Sequence, residues 1–196
     1  VTELVVAERT AAAFRDAGCE ETLFTLVASG PNGAFPHHHT GSRVLQEGDA
    51  VVLDLGGRLD GYPSDITRMA FVGEPSERYL EVHGVVDRAV RAGLAAARPG
   101  ARCEEVDAAA RGVIEQAGFG EYFVHRTGHG LGLSVHEAPW IMRGATEELR
   151  PGMVHSIEPG IYLPGEFGIR LEEIVQITET GCEVFSGLPR DVYVSG

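Results

Sequence analysis

Residues 47–56 read Glu47-Gly48-Asp49-Ala50-Val51-Val52-Leu53-Asp54-Leu55-Gly56, and residues 151–160 read Pro151-Gly152-Met153-Val154-His155-Ser156-Ile157-Glu158-Pro159-Gly160. Laid over one another at an offset of 104, both are short apolar runs that deliver one carboxylate just before a glycine. An apolar run of this length, bounded by turn residues, predicts a buried strand. Asp54 and Glu158 therefore sit at matching points of two similar units.

The match extends in both directions. Gly61 to Asp65 lies over Gly168 to Glu172 at an offset of 107, so each unit has a second carboxylate where a following strand begins. Upstream, Val6, Phe14, Ala17 and Gly18 lie over Val106, Ile114, Ala117 and Gly118 at an offset of 100. Offsets that drift by so little imply one helix, strand and strand order used twice. Two pseudo-symmetric halves closing on a shared cleft would bring the carboxylates together at its centre.

Other elements follow from periodicity and punctuation. Val6, Thr10, Ala13, Phe14 and Ala17 recur at helical spacing, so a helix is predicted over 2–17 and ends at Gly18. Ser76 is a candidate N-cap for a helix to about Arg98, stopped by Pro99-Gly100, and a third helix is predicted over 103–117. Strands are predicted over 22–28, 50–58, 66–72, 153–157, 172–178 and 183–186. This mixture is α+β or α/β. Val1 is not a start Met and a helix begins at once, so an N-terminal portion and any upstream domain are expected to lie outside residues 1–196.

Composition narrows the partners. The 196 residues are 43% hydrophobic, enough for one substantial core, and are expected to fold as a single cooperative unit. A formal charge of −13 with no basic run would repel a phosphate backbone or an anionic membrane. No apolar stretch approaches the ~20 residues of a membrane helix. Cys19, Cys103 and Cys182 are odd in number and outside any Cys-x-x-Cys pattern, which fits neither a disulfide framework nor a structural zinc site. A reducing cytoplasm is the expected setting.

The carboxylates carry the chemistry. A buried carboxylate without a partner costs several kcal/mol, and Asp54, Asp65, Glu158 and Glu172 converging would repel one another unless a divalent ion neutralised them. An oxygen-rich site favours hard or borderline ions such as manganese. His129 is the expected imidazole ligand by its setting, Thr127-Gly128-His129-Gly130-Leu131-Gly132, where glycines permit close backbone approach; His136 follows seven residues on. Two ions a few ångströms apart can activate a bridging water and polarise a carbonyl, so amide hydrolysis at neutral pH follows. Glu158 is the candidate general base.

Taken together, Leu53-Asp54, Ser64-Asp65-Ile66-Thr67-Arg68, the His129 glycine loop, Ser156-Ile157-Glu158-Pro159-Gly160 and Gly168-Ile169-Arg170-Leu171-Glu172 resemble the pita-bread metallopeptidases. That group includes methionine aminopeptidase, aminopeptidase P and prolidase, and the resemblance spans about Thr2 to Arg190. It implies an α+β pita-bread fold with two divalent ions, most readily manganese and otherwise cobalt or zinc. The implied ligands are Asp54, Asp65, His129, Glu158 and Glu172, with Asp65 and Glu172 shared between the ions. It implies that His37 and His136 contact the scissile peptide or stabilise the tetrahedral intermediate. His125 and Arg170 resemble substrate-site positions that separate the prolidase and aminopeptidase P branch from methionine aminopeptidase. The implied activity is cleavage of an Xaa-Pro bond in a peptide substrate, by an enzyme that pairs as a homodimer.

Blander readings compete. A single Asp after an apolar strand is more often a turn residue than a ligand, and lone histidines such as His83 and His155 are more often structural. The Gly128–Gly132 segment lacks the Lys-Ser/Thr of a phosphate loop, and His136-Glu137 has Trp140 where a zincin has its second His. Two other functions stay open: a different carbon-nitrogen hydrolase on the same scaffold, and a non-catalytic binding module. Five ligand-type residues in register favour the peptidase.

Overall fold

In the computed structural model, which describes residues 1–195, three helices and twelve strands are arranged around one main core. The first half runs α1 (Glu3–Asp16), β1 (Glu21–Ser29), β2 (Ala50–Leu59), β3 (Tyr62–Pro63) and β4 (Ile66–Val72). Helices α2 (Glu77–Ala96) and α3 (Cys103–Gln116) follow. The second half runs β5 (Gly128–Gly130), β6 (Glu137–Ile141), β7 (Val154–Ile157), β8 (Gly160–Leu163), β9 (Phe167–Arg170), β10 (Glu173–Ile177) and β11 (Cys182–Val184), and β12 (Tyr193–Ser195) closes the chain.

The strands form two sheets and a separate hairpin. One sheet has the order β1-β2-β4-β12 with β3 on β2, the other β11-β10-β7-β5-β6, and β8 pairs β9. The antiparallel trio β1-β2-β4 corresponds to β5-β7-β10, as the offsets near 104 require. β2 is one continuous strand, whereas its counterpart breaks into β7 and β8 at Glu158-Pro159. Proline has no N–H to continue a ladder, which accounts for the break.

Packing follows the pattern of the chain. Thr67, Met69 and Phe71 are the buried face of β4 at period two. Tyr79, Val82, Val85, Val86, Ala89, Val90 and Gly93 are the buried stripe of α2 at helical spacing. Both belong to the core that α2 and α3 share with strands of the two sheets; a smaller cluster of Ala7, Val27 and Val51 lies under α1. The Ser76 cap on α2 is present, with its hydroxyl accepting from the Tyr79 N–H at 3.2 Å. The helix stops at Ala96 rather than Arg98 because a residue preceding proline is disfavoured in the helical region.

Six strands escape the sequence reading. β5 is glycine-rich, β6 contains Pro139 and lies at a sheet edge where proline is tolerated. β8 is fully buried and shows no alternation. Residues 160–168 are most of the β8–β9 hairpin, which turns at Pro164-Gly165. β3 and β12 are too short to show periodicity.

A buried carboxylate ties α1 to the end of β1. Glu3 is fully buried, and its Oε1 accepts from the Ser29 N–H at 2.7 Å, the Ser29 hydroxyl at 2.7 Å and the Asn32 amide at 3.0 Å. Its Oε2 accepts from the Gly41 N–H and lies 3.3 Å from His38 Nε2. Burial pushes the Glu3 pKa up, but the hydrogen bonds from Ser29, Asn32 and Gly41 outweigh it and hold the carboxyl below its ordinary 4.5. A depressed acid stabilises the fold above its unfolded pKa, and that contribution is lost as pH falls through the folded value. Glu3→Gln is therefore expected to cost about 3 kcal/mol near pH 7. In urea melts the gap from wild type should narrow as pH drops below about 4.5; a gap independent of pH would refute the charge-based account.

Candidate metal centre

The two halves meet at a cleft of about 460 Å³, lined among others by His37, Asp54, Asp65, His125, His129, His136, Glu158, Arg170 and Glu172. All nine sequence-predicted site residues thus face one cavity. Asp54 lies within β2, opposite Thr67 of β4, and Asp65 immediately precedes β4. Glu158 immediately follows β7, and Glu172 immediately precedes β10. His129 is the middle residue of β5. The pseudo-symmetry therefore pairs Asp54 with Glu158 and Asp65 with Glu172 across the cleft.

Their donor atoms group into overlapping triads. Asp54, Asp65 and Glu172 form one, and His129, Glu158 and Glu172 form another; within each, one donor atom per residue lies within 4.8 Å of the others. Glu172 is common to both. Asp65 also groups with His129 and His136. His129 Nε2 lies 3.1 Å from Glu158 Oε1 and 3.7 Å from Asp65 Oδ2.

The glycine loop around His129 permits this approach. A Cβ at Gly128 would strike the Ser156 carbonyl, and one at Gly130 the Ala138 carbonyl, so larger residues cannot occupy these positions without moving backbone. The Ser156 hydroxyl accepts from the His129 N–H at 2.9 Å and donates to Glu158 Oε1 at 3.0 Å. His129 Nδ1 lies 3.0 Å from the Gly130 carbonyl, which can only accept, so Nδ1 carries a proton and Nε2 is directed at the carboxylates. Asp107 supports the same loop: it is buried, paired with Arg111, and accepts from the Thr127 hydroxyl at 2.7 Å.

Electrostatics fit a cation at this point. Burial raises the Asp65 pKa, the charges of Asp54 and Glu158 raise it further, and it reaches about 8. Burial followed by the charges of Asp65, Glu158 and Asp54 carries Glu172 well above its ordinary value. Glu172 Oε1 is buried without a hydrogen-bond partner. Burial would raise Glu158 too, but its hydrogen bond and charge interaction with His129 take it down to about 2. Such a set cannot be fully ionised without added positive charge, and an orphaned buried oxygen at its centre is what a hard cation would satisfy.

Around the triads runs a second tier of hydrogen bonds. Arg170 is buried and donates through Nη2 to Asp54 Oδ2 at 2.6 Å, through Nη1 to Tyr162 Oη at 2.8 Å, and through Nε to Thr67 Oγ1 at 3.2 Å. Thr67 Oγ1 donates to Glu172 Oε2 at 2.9 Å. His125 Nδ1 is 2.7 Å from the Arg126 carbonyl and Nε2 is 2.7 Å from Tyr162 Oη. The ring therefore donates to the carbonyl and accepts from the phenol. Burial lowers the His125 pKa to about 4, which keeps it neutral, and pushes Tyr162 up to about 12.

Two histidines stand nearer the solvent. His136 is exposed, with its ring edge-on to His129 at a centroid distance of 4.2 Å, and His37 is exposed on the cavity wall. His83 and His155, set aside on sequence grounds, do not line this cavity; His155 is buried with Nδ1 2.9 Å from the Ser156 carbonyl. Sequence reasoning missed Tyr162 and Asp107, since a tyrosine in an apolar strand and an aspartate on a helix carry no distinguishing local signal. Thr67 lay inside a motif already singled out.

The pattern of metallopeptidase family M24 matches residues 1–179. A probable dipeptidase PepE of Mycobacterium tuberculosis is 50% identical over 194 residues, 98% of this chain and 52% of that protein. An Xaa-Pro dipeptidase of Pyrococcus furiosus is 42% identical over 176 residues, 89% of this chain and 51% of that protein. The crystal structure of an X-Pro aminopeptidase from Thermotoga maritima superimposes with a TM-score of 0.98 at 41% identity, covering 100% of this chain and 56% of the other. The chain thus spans about half the length of the relatives it matches. It has the pita-bread fold and belongs to metallopeptidase family M24.

Proposed function

We propose that this chain is the catalytic domain of a dinuclear metallopeptidase that hydrolyses the bond between an N-terminal residue and proline, in a dipeptide or a longer peptide. The observation that carries the reading is the pair of triads, Asp54/Asp65/Glu172 and His129/Glu158/Glu172, sharing one buried carboxylate. Their oxygen-rich donors with one imidazole suit manganese best, with cobalt or zinc as alternatives. The names of the relatives, dipeptidase and Xaa-Pro dipeptidase among them, support the substrate class.

Two bound ions would lower the pKa of a water molecule and polarise the substrate carbonyl. Glu158 takes the proton of the attacking water and returns it to the departing prolyl nitrogen, so that water is added across the C–N bond. His136 and His37, exposed on the cleft wall, donate to the carbonyl oxygen as negative charge develops there. Arg170 holds Asp54, and neutral His125 with Tyr162 closes the wall on which proline would rest. Among the described residues no helix is long and apolar enough to cross a membrane; a cytoplasmic homodimer is the assembly this reading favours.

The test is hydrolysis by metal-stripped protein of an Xaa-Pro dipeptide, an Xaa-Pro-containing tripeptide and a Met-initiated peptide, with and without manganese. Manganese-dependent cleavage before proline is expected. Bound metal with no cleavage of any of the three would transfer the reading to another carbon-nitrogen substrate, and absence of metal binding would leave a binding module.

A further inference from the structure

Arg68 follows Asp65 by three residues and lies on β4, and all five of its N–H donors are engaged. Nε donates to the Pro189 carbonyl at 3.0 Å. Nη1 donates to the Thr67 carbonyl at 3.1 Å and the Glu172 carbonyl at 2.5 Å. Nη2 donates to Glu173 Oε1 at 2.9 Å and the Leu188 carbonyl at 2.9 Å. One side chain thus joins the strand that Asp65 immediately precedes, the peptide that carries Glu172, and the Leu188-Pro189 segment.

Glu172 is held from both sides by the dipeptide Thr67-Arg68. Its N–H donates to the Thr67 carbonyl at 3.3 Å, its carbonyl accepts from Arg68, and its Oε2 accepts from the Thr67 hydroxyl. Only Oε1 is left without a partner. The two carboxylates at the heads of β4 and β10 belong to opposite halves of the fold, and this dipeptide bridges the halves beside them. Glu173 backs the arrangement: it is buried, and its Oε1 also accepts from Arg190 Nη1 at 2.9 Å, while Arg190 Nε reaches Asp87 of α2 at 2.7 Å.

We propose that Arg68 is a positioning residue for the metal centre: by gripping the Glu172 carbonyl from β4 it fixes the separation of Asp65 and Glu172, and hence the affinity for the second ion. The inference rests on the reading of these carboxylates as metal ligands. A planar five-donor fork is required, because an ammonium offers three donors from one point and cannot satisfy the same set.

The experiment is calorimetric titration of metal-stripped wild type, Arg68→Lys, Arg68→Met and Arg190→Met with manganese(II), alongside thermal melts and kinetics. Wild type should bind two ions. Arg68→Lys should keep a cooperative melt yet bind the weaker ion about tenfold or more less tightly. Its kcat at limiting manganese should fall with KM little changed, and excess manganese should restore it. Arg190→Met, which loosens the end of the chain but spares the Glu172 carbonyl, should keep manganese affinity within about threefold of wild type. Arg68→Met should follow Arg68→Lys; if it fails to fold, Arg68→Lys decides. Equal weakening in Arg68→Lys and Arg190→Met, or unchanged affinity in folded Arg68→Lys, would overturn the proposal while leaving the metal reading intact. A wild type that binds no manganese would overturn both.

Discussion

Glu172→Gln is expected to reduce metal-dependent hydrolysis to the assay background and, in metal-free protein at pH 8, to raise the melting temperature. Loss of activity follows because Glu172 is the residue common to both triads. The gain in stability follows from the same position. Burial and then the charges of Asp65, Glu158 and Asp54 carry Glu172 well above its ordinary pKa, and Asp65 reaches about 8 from 3.8. An acid whose folded pKa lies above its unfolded one holds a proton that unfolding would release, so metal-free stability falls as pH rises between the two values. Each unit of separation corresponds to about 1.4 kcal/mol. Calorimetry of metal-free wild type should show the melting temperature declining from pH 5 to pH 8, and removal of one carboxylate should flatten that decline. Saturating manganese should reverse it in wild type only. A pH-independent difference between the two proteins, or wild-type turnover in the variant, would show that Glu172 does not hold this place.

The second large effect is expected at Glu158. Glu158→Gln keeps an oxygen beside His129 but cannot take a proton, so kcat should fall by about 10²–10⁴-fold while bound manganese remains detectable by elemental analysis. In His136→Ala, which removes a single donor to the developing oxyanion, the fall should be about 10²–10³-fold with metal content unchanged. Burial would raise the Glu158 pKa, but its hydrogen bond and charge interaction with His129 take it down to about 2 in the metal-free state, so its carboxylate is ionised throughout the neutral range. If Glu158→Gln retained activity within tenfold of wild type, proton transfer would have to be assigned elsewhere, and His136 would become the next residue to consider.

Much of the arrangement was legible along the chain because it is written twice. The match of 47–56 to 151–160 carries the apolar run, the turn glycine and the carboxylate together, and the trios β1-β2-β4 and β5-β7-β10 reproduce it. The three helices were legible from period and from Ser76, Pro99 and Gly118. The strands that escaped are those whose stability comes from elsewhere: β5 is three residues between two neighbours, and β8 is buried on every side. Neither has a local signal, since a period appears only where one face meets water.

At the centre of the molecule the division is similar. Sequence alone determined which residue types are present, that two halves repeat, and that carboxylates terminate paired apolar runs; those properties depend on local order along the chain. Only tertiary structure decided that Glu172 belongs to both triads, that Arg170 is directed at Asp54 while Tyr162 links it to His125, and that Arg68 holds the Glu172 peptide across the two halves. The contacts that cross the two halves, Arg170 to Asp54 and Arg68 to Glu172, join residues more than a hundred positions apart, and their distances are set by the packing of α2 and α3 against both sheets. Hydrogen bonds require placement to within a few tenths of an ångström, which no pattern of residue types encodes until the core has closed around them.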